Sequence, residues 1–155
     1  MKVALGCDHA GYRLKEVIAS CLNQAGHEIL DEGTYSGESC DYPDFAERVA
    51  LRVVSGEAER GIIICATGVG MAMTANKVTG IRAAVCNDLY TARYSRLHND
   101  ANVLALGARV VGPGVAEEIV HIWMETPFEG GRHSRRLDKL AEVEKRHGGK
   151  TDERP

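Results

Sequence analysis

Apolar positions along the chain fall into two rhythms. Short runs rich in Val and Ile alternate with longer segments whose apolar residues recur at helical spacing, the pattern of βαβ units around a parallel sheet. The runs predict five strands, at Lys2–Cys7, His27–Asp31, Gly61–Cys65, Ile81–Cys86 and Asn102–Leu106. The periodic segments predict helices at Tyr12–Ala25, Pro43–Ser55, Gly68–Val78, Asp88–Leu97 and Pro113–Glu125, with a sixth from about Ser134 to His147. Pro43 and Pro113 suit first helical turns, where a missing N–H costs nothing. Gly26, Gly56 and Gly80 stand where helices should stop. The expected architecture is a three-layer αβα sandwich, Rossmann-like, on a five-stranded parallel sheet with an extra C-terminal helix. A single domain is expected over residues 1–147, with a flexible tail over 148–155 at the end of the polar stretch Lys145–Pro155.

In an open parallel sheet, ligands bind beyond the carboxyl ends of the strands, so the residues following each strand carry the most information. Three such places stand out. Cys7-Asp8-His9-Ala10-Gly11 follows the first strand, Cys65-Ala66-Thr67-Gly68-Val69-Gly70 the third, and Gly107-Ala108-Arg109 the fifth. The small residues of Ala66–Gly70 let several backbone N–H groups converge near a helix start, which makes a cradle for an anion or oxyanion. A tight strand-to-helix turn makes the same demand for glycine. Cys65 adds chemistry, because a thiol at a strand end facing such a loop has its thiolate favoured. An apolar run such as Ile62-Ile63-Ile64-Cys65 also describes an inert core cysteine.

Composition narrows the classes. With 19 Lys and Arg against 22 Asp and Glu, the net charge is −3, and no basic block precedes the tail, which argues against nucleic acid or an anionic membrane as partner. No apolar run approaches the ~20 residues of a membrane helix. The opening MKVALGCDHAG is strand-like and unlike a secretory signal, so a cytosolic location is expected. Five widely spaced cysteines without a C-x-x-C pair suggest free thiols rather than disulfides or a zinc site.

Three familiar motifs fail. Gly68-Val69-Gly70-Met71-Ala72-Met73 lacks the third glycine of a dinucleotide fingerprint, because Met73 stands there. Gly6–Gly11 has the spacing of a P-loop, yet Tyr12-Arg13 replaces the Lys-Ser/Thr pair. A cysteine phosphatase needs an arginine six residues after its nucleophile, where this chain has Met71.

Other residues have two readings each. Asp8 and His9 pair an acceptor with a potential cationic donor suited to sugar hydroxyls and phosphate; Asp8 also suits a helix cap. Arg132 and Arg136 share a helix face and can clamp a phosphate, or belong to a solvated charged surface. His98-Asn99-Asp100 is either a functional loop or a polar helix end.

Taken together, these residues resemble the ribose-5-phosphate isomerase B family, which includes galactose-6-phosphate and allose-6-phosphate isomerases. The resemblance runs from GCDHAG at 6–11 through Asp41-Tyr42-Pro43, Ile64–Gly70, Ala75-Asn76-Lys77, Ser95–Val103 and Gly107–Gly112 to EGGRHSRR at 129–136. It implies an aldose–ketose isomerase that works on a phosphorylated sugar through an ene-diolate, with neither metal nor cofactor. Cys65 would be the base moving the proton between C1 and C2. A second branch of the family lacks this cysteine and carries a glutamate where this chain has Met71, so the chain resembles the cysteine branch. Thr67 would hydrogen-bond near the reacting oxygens, and the amides of Ala66, Gly68, Val69 and Gly70 would stabilise the oxyanion. Ala66 departs from the glycine of many relatives. His98 would open the furanose ring, Asp8, Tyr42 and Asn99 would contact hydroxyls, and His9, Arg109, Arg132 and Arg136 would hold the phosphate.

Chain order adds one expectation. His98 follows the fourth helix and precedes the fifth strand, which puts it at the amino edge of its own sheet, opposite Cys65. It is expected to serve the Cys65 site of a neighbouring copy, in a homodimer or tetramer with shared sites. Ribose 5-phosphate and ribulose 5-phosphate are the expected substrate pair; a four- or six-carbon sugar phosphate and a non-catalytic phosphosugar-binding module are the alternatives.

Overall fold

The computed structural model describes residues 1–148; the rest of the expected tail lies outside the described residues. The elements in order are β1 (Lys2–Cys7), α1 (Tyr12–Gln24), β2 (Glu28–Asp31), α2 (Tyr42–Val54), β3 (Arg60–Cys65), α3 (Val69–Ala75), β4 (Ala83–Val85), α4 (Leu89–Leu97), β5 (Val103–Gly107), α5 (Pro113–Glu125) and α6 (Arg132–His147). The five strands form one parallel sheet in the order β2-β1-β3-β5-β4. This is the α/β Rossmann-like architecture anticipated from the pattern. No helix among the described residues is long and apolar enough to cross a membrane.

Strand periodicity divides the core into two layers. Val3, Leu5, Cys7, Ile62, Ile64, Leu104 and Leu106 pack with Ile18 and Leu22 of α1 and Ile119 and Trp123 of α5. On the opposite face, Ala4, Ile63, Cys65, Val103 and Ala105 pack with Val49 and Ala50 of α2 and Met71 and Ala75 of α3. The central strands β1, β3 and β5 are buried on both faces, which is why they read as continuous apolar runs.

Two elements are shorter than predicted by several residues. β4 spans Ala83–Val85 instead of Ile81–Cys86, because Ile81 N–H turns back to Val78 O at 3.1 Å and Arg82 N–H donates to Asn102 Oδ1 at 2.8 Å. α3 stops at Ala75 instead of Val78, since Lys77 and Val78 donate three residues back to Thr74 and Ala75 in a tightened final turn. In contrast, α6 runs through the basic Lys145-Arg146-His147, whose positive charges complement a helix C-terminus.

The register fixes two ends of the sheet. At the carboxyl edge Cys65 lies level with Gly107 and at the amino edge Gly61 with Val103. Four strand residues separate the two edges by roughly 13 Å. Each helix following a strand returns the chain to the amino edge.

Candidate active site

Cys65 ends β3 on the face covered by α2 and α3 and is 5% exposed. Beyond it the chain turns sharply into α3, and Gly68 takes φ +82°, a left-handed conformation that glycine adopts without steric cost. This turn aims the Gly68 N–H at Cys65 Sγ, 3.1 Å away. Thr67 is exposed beside it, its Oγ1 accepting from Val69 N–H at 3.3 Å.

The loop after β5 locks the loop after β3. Ala108 N–H donates to Cys65 O at 2.8 Å and Arg109 N–H to Ala66 O at 3.0 Å. Arg109 is exposed and follows β5 at the carboxyl edge. A third loop adds Asn87, which the sequence reading missed. Its Oδ1 accepts from Gly107 N–H at 2.9 Å and its Nδ2 donates to Thr67 O at 3.5 Å, tying the ends of β4, β5 and β3 together. The signal was present, since Asn87 directly follows the predicted strand Ile81–Cys86 at the same edge, but an asparagine after a strand also reads as an ordinary turn residue.

The loop after β1 supplies Asp8 and His9. Asp8 is 6% exposed and its Oδ1 accepts from Ala10 N–H at 2.9 Å and Gly11 N–H at 3.0 Å, so it does shape the entry to α1. His9 Nδ1 accepts from Cys40 N–H at 3.2 Å, which assigns the proton of the neutral ring to Nε2. Tyr42 opens α2 with its ring against Gly70; a Cβ on Gly70 would stand 2.8 Å from Tyr42 Cζ. Asp8, His9, Tyr42, Ala66, Thr67, Gly68, Val69, Gly70 and Arg109 therefore gather with Cys65 at the carboxyl edge.

Position also separates the cysteines. Cys7 ends β1 at the same edge but points to the opposite layer, where burial pushes its thiol up to about 12 against the lowering effect of Lys15. Burial also raises the Cys86 thiol.

The remaining expected residues lie at the other end. α4 descends from the carboxyl edge, and His98 caps its C-terminus near the amino edge. There His98 stacks on His133 of α6, ring centroids 4.1 Å apart and planes 11° from parallel, while Tyr94 meets it edge-on at 4.8 Å. Glu129 Oε2 lies 3.7 Å from His98 Nε2 and 3.9 Å from His133 Nε2. The next residues are pinned by Asp100, at φ +44°, whose carboxylate accepts from Arg82 and Arg96, each at 2.8 Å. Arg96 also reaches Ala101 O at 2.6 Å and Thr126 O at 3.3 Å, fastening the loop to the α5–α6 connection. Asn99 is exposed on this loop and borders a cavity of about 750 Å³ between α6 and the α3–β4 turn, a cavity that excludes Cys65. Arg132 and Arg136 lie one turn apart on α6, with Arg132 Nε 3.4 Å from His133 Nε2. One chain thus carries the expected site residues in two separated groups.

A thiol held by a backbone amide beside a glycine loop, on a parallel sheet of this order, fits an α/β enzyme of the aldose–ketose isomerase class, and the comparisons show that this chain is one. The chain belongs to the Ribose/Galactose Isomerase family, whose model matches residues 3–140. It is 50% identical over 145 residues to Ribose-5-phosphate isomerase B of Escherichia coli K12, covering 94% of this chain and 97% of that protein. A D-erythrulose-4-phosphate isomerase of Pectobacterium atrosepticum is 43% identical, covering 93% of this chain and 95% of that protein. The solved structure of Clostridium thermocellum Ribose-5-Phosphate Isomerase B superposes with a TM-score of 0.94 at 55% identity, covering 95% of this chain and 99% of the other.

Proposed function

We propose that the chain interconverts ribose 5-phosphate and ribulose 5-phosphate through an ene-diolate, at sites completed by a second copy of itself. The observation that carries this reading is the Cys65 sulfur, nearly buried at a strand end, accepting the Gly68 N–H at 3.1 Å. A proton α to a carbonyl is weakly acidic, so its removal needs a base matched by donors where the oxyanion develops.

In this account the furanose first opens. The bond between C1 and the ring oxygen breaks; the ring oxygen keeps that electron pair and takes a proton from His98, while the anomeric hydroxyl releases its proton to solvent. Cys65 as thiolate then removes the C2 proton of the open aldose, the electrons move to the C1 oxygen, and the amides of Ala66–Gly70 with Thr67 stabilise the ene-diolate. Transfer of the O2 proton to O1 and return of the proton from Cys65 to C1 give the ketose. Asp8 and Tyr42 from one chain and Asn99 from the other hold hydroxyls. His9 and Arg109 from one chain, with Arg132 and Arg136 from the other, grip the phosphate and turn binding energy into orientation.

Two features support a shared site. The sheet edges near His98 and Cys65 are separated by roughly 13 Å, beyond hydrogen-bond reach, which favours a site that takes these two residues from different chains. Val69, Met73, Leu89, Tyr90 and Val110 are exposed apolar residues near the carboxyl ends of strands, a surface suited to cover by another chain. The five free cysteines fit a reducing, cytosolic compartment.

Proton NMR of ribose 5-phosphate in heavy water tests the reading. Ribulose 5-phosphate should form with deuterium incorporation, and Cys65→Ser should abolish both. Turnover of only a four- or six-carbon sugar phosphate would move the substrate and keep the chemistry. Absence of exchange with any aldose phosphate would refute it.

A further inference from the structure

The rings of His98 and His133 lie almost parallel, 4.1 Å between centroids, and His133 is 2% exposed. Two imidazoles chelating one ion must turn their nitrogen lone pairs toward a common point. Stacked rings send theirs side by side, so this arrangement suits mutual orientation better than chelation, although His98, Glu129 and His133 bring their ligand-type atoms within 4.8 Å of one another.

The surroundings fix what each ring does. His98 is a third exposed and caps a helix at a loop, a position that by itself leaves its ring free to rotate. His133 is held in the first turn of α6, its backbone N–H donating to Gly130 O at 3.1 Å. Glu129 is anchored through its own N–H to Leu97 O at 3.0 Å, so the carboxylate beside both Nε2 atoms is tied to the residue preceding His98. The groups facing His133 are His98, Glu129, Arg132 and Arg136; desolvation first, then the neighbouring His98, lowers its tendency to take a proton. A neutral plate next to His98 adds no second charge to the group that must exchange protons.

We infer that His133 is a positioning residue for the ring-opening step, a buried aromatic plate that sets the orientation of the His98 imidazole toward a sugar bound at the neighbouring copy's Cys65. This rests on the ring-opening role proposed for His98. It separates His133 from Arg132 and Arg136, its neighbours on the same helix, which are assigned to the phosphate.

Sugar chemistry supplies a test. Ribose 5-phosphate closes a five-membered ring through its C4 hydroxyl and must be opened. Ribulose 5-phosphate has its C5 oxygen esterified, cannot close such a ring on C2, and presents an open chain to the enzyme. At saturating substrate, turnover of ribose 5-phosphate includes ring opening, whereas deuterium wash-in at C1 of ribulose 5-phosphate reports enolisation alone. Both substrates carry the phosphate, so a disturbed phosphate grip affects both together.

For His133→Ala the ratio of turnover to wash-in is expected to fall about ten- to a hundred-fold, the scale of a misplaced catalytic group. His133→Phe, which keeps a flat ring in the stack, should restore most of that ratio. His98→Asn should lower the same ratio at least as far. Equal losses of turnover and wash-in in both His133 variants, or no rescue by phenylalanine, would overturn the positioning role. An unaltered ratio in His98→Asn would instead overturn the ring-opening reading on which it rests.

Discussion

The two edges of the sheet are built by different means. At the carboxyl edge, Cys65 and its loop are held mainly by backbone: Gly68 N–H on the sulfur, Ala108 and Arg109 N–H on the Cys65 and Ala66 carbonyls, with Asn87 and Thr67 adding side-chain ties. At the amino edge, His98 is held by side chains: the His133 stack, Glu129, and Asp100 between Arg82 and Arg96. The difference matches the two tasks proposed for these edges. An oxyanion needs fixed dipoles that do not reorganise, while a group that exchanges protons with a ring oxygen needs an oriented but titratable side chain.

Replacing the base should break the carboxyl edge most severely. Cys65→Ser is expected to lower turnover by about 10²–10⁴-fold, the contribution of a positioned acid–base group, with circular dichroism unchanged. A variant retaining a tenth of the activity would remove Cys65 from that role.

The phosphate grip tests whether the amino edge reaches the same sugar. Arg132→Ala and Arg136→Ala should each raise KM for the phosphorylated substrate roughly ten-fold or more, the loss of a hydrogen bond to a charged group. An unchanged KM in both would detach α6 from the substrate.

A smaller effect is expected where packing alone positions a contact. Gly70→Ala places a methyl against the Tyr42 ring and should displace it, raising KM several-fold at a stability cost of about 1–3 kcal/mol. Urea denaturation beside steady-state kinetics would read both.

The smallest effect separates two thiols at one edge. Cys7 should resist iodoacetamide while Cys65 reacts, as mass spectrometry of the alkylated protein would show. Because the folded state raises the Cys7 thiol from 9.0 to about 12, the unfolded chain binds fewer protons between those values. The stability contributed by the neutral thiol is therefore complete below pH 9 and lost as pH rises toward 12. Cys7→Ala should flatten that decline in urea titrations.

The contrast between the edges also explains what was legible in the sequence. β1, β3 and β5 are buried on both faces and wrote themselves as apolar runs, so the residues following them, including Asp8, Cys65 and Arg109, could be placed at one edge. β4 lies at the sheet's margin, and its boundaries depend on side-chain bonds from Asn76 and Asn102 that no periodicity reports. Asn87 stands just beyond the predicted strand, where an asparagine also reads as an ordinary turn residue. His133 stacks on a ring distant in sequence, and Asp100 pairs with Arg82 as well as the nearby Arg96, so the sequence offered Asp100 only within a loop of two readings and gave His133 no separate role. Chain order did place His98 opposite Cys65, because helices that follow parallel strands must run back.

Mixing inactive Cys65→Ser and His98→Asn proteins under conditions of subunit exchange tests the completion of one edge by the other most directly. If Cys65 of one chain works with His98 of its neighbour, each hybrid dimer regains one intact site, and activity should return to roughly a quarter of the wild-type value for random pairing. A mixture that exchanges subunits and recovers nothing would contradict the shared site.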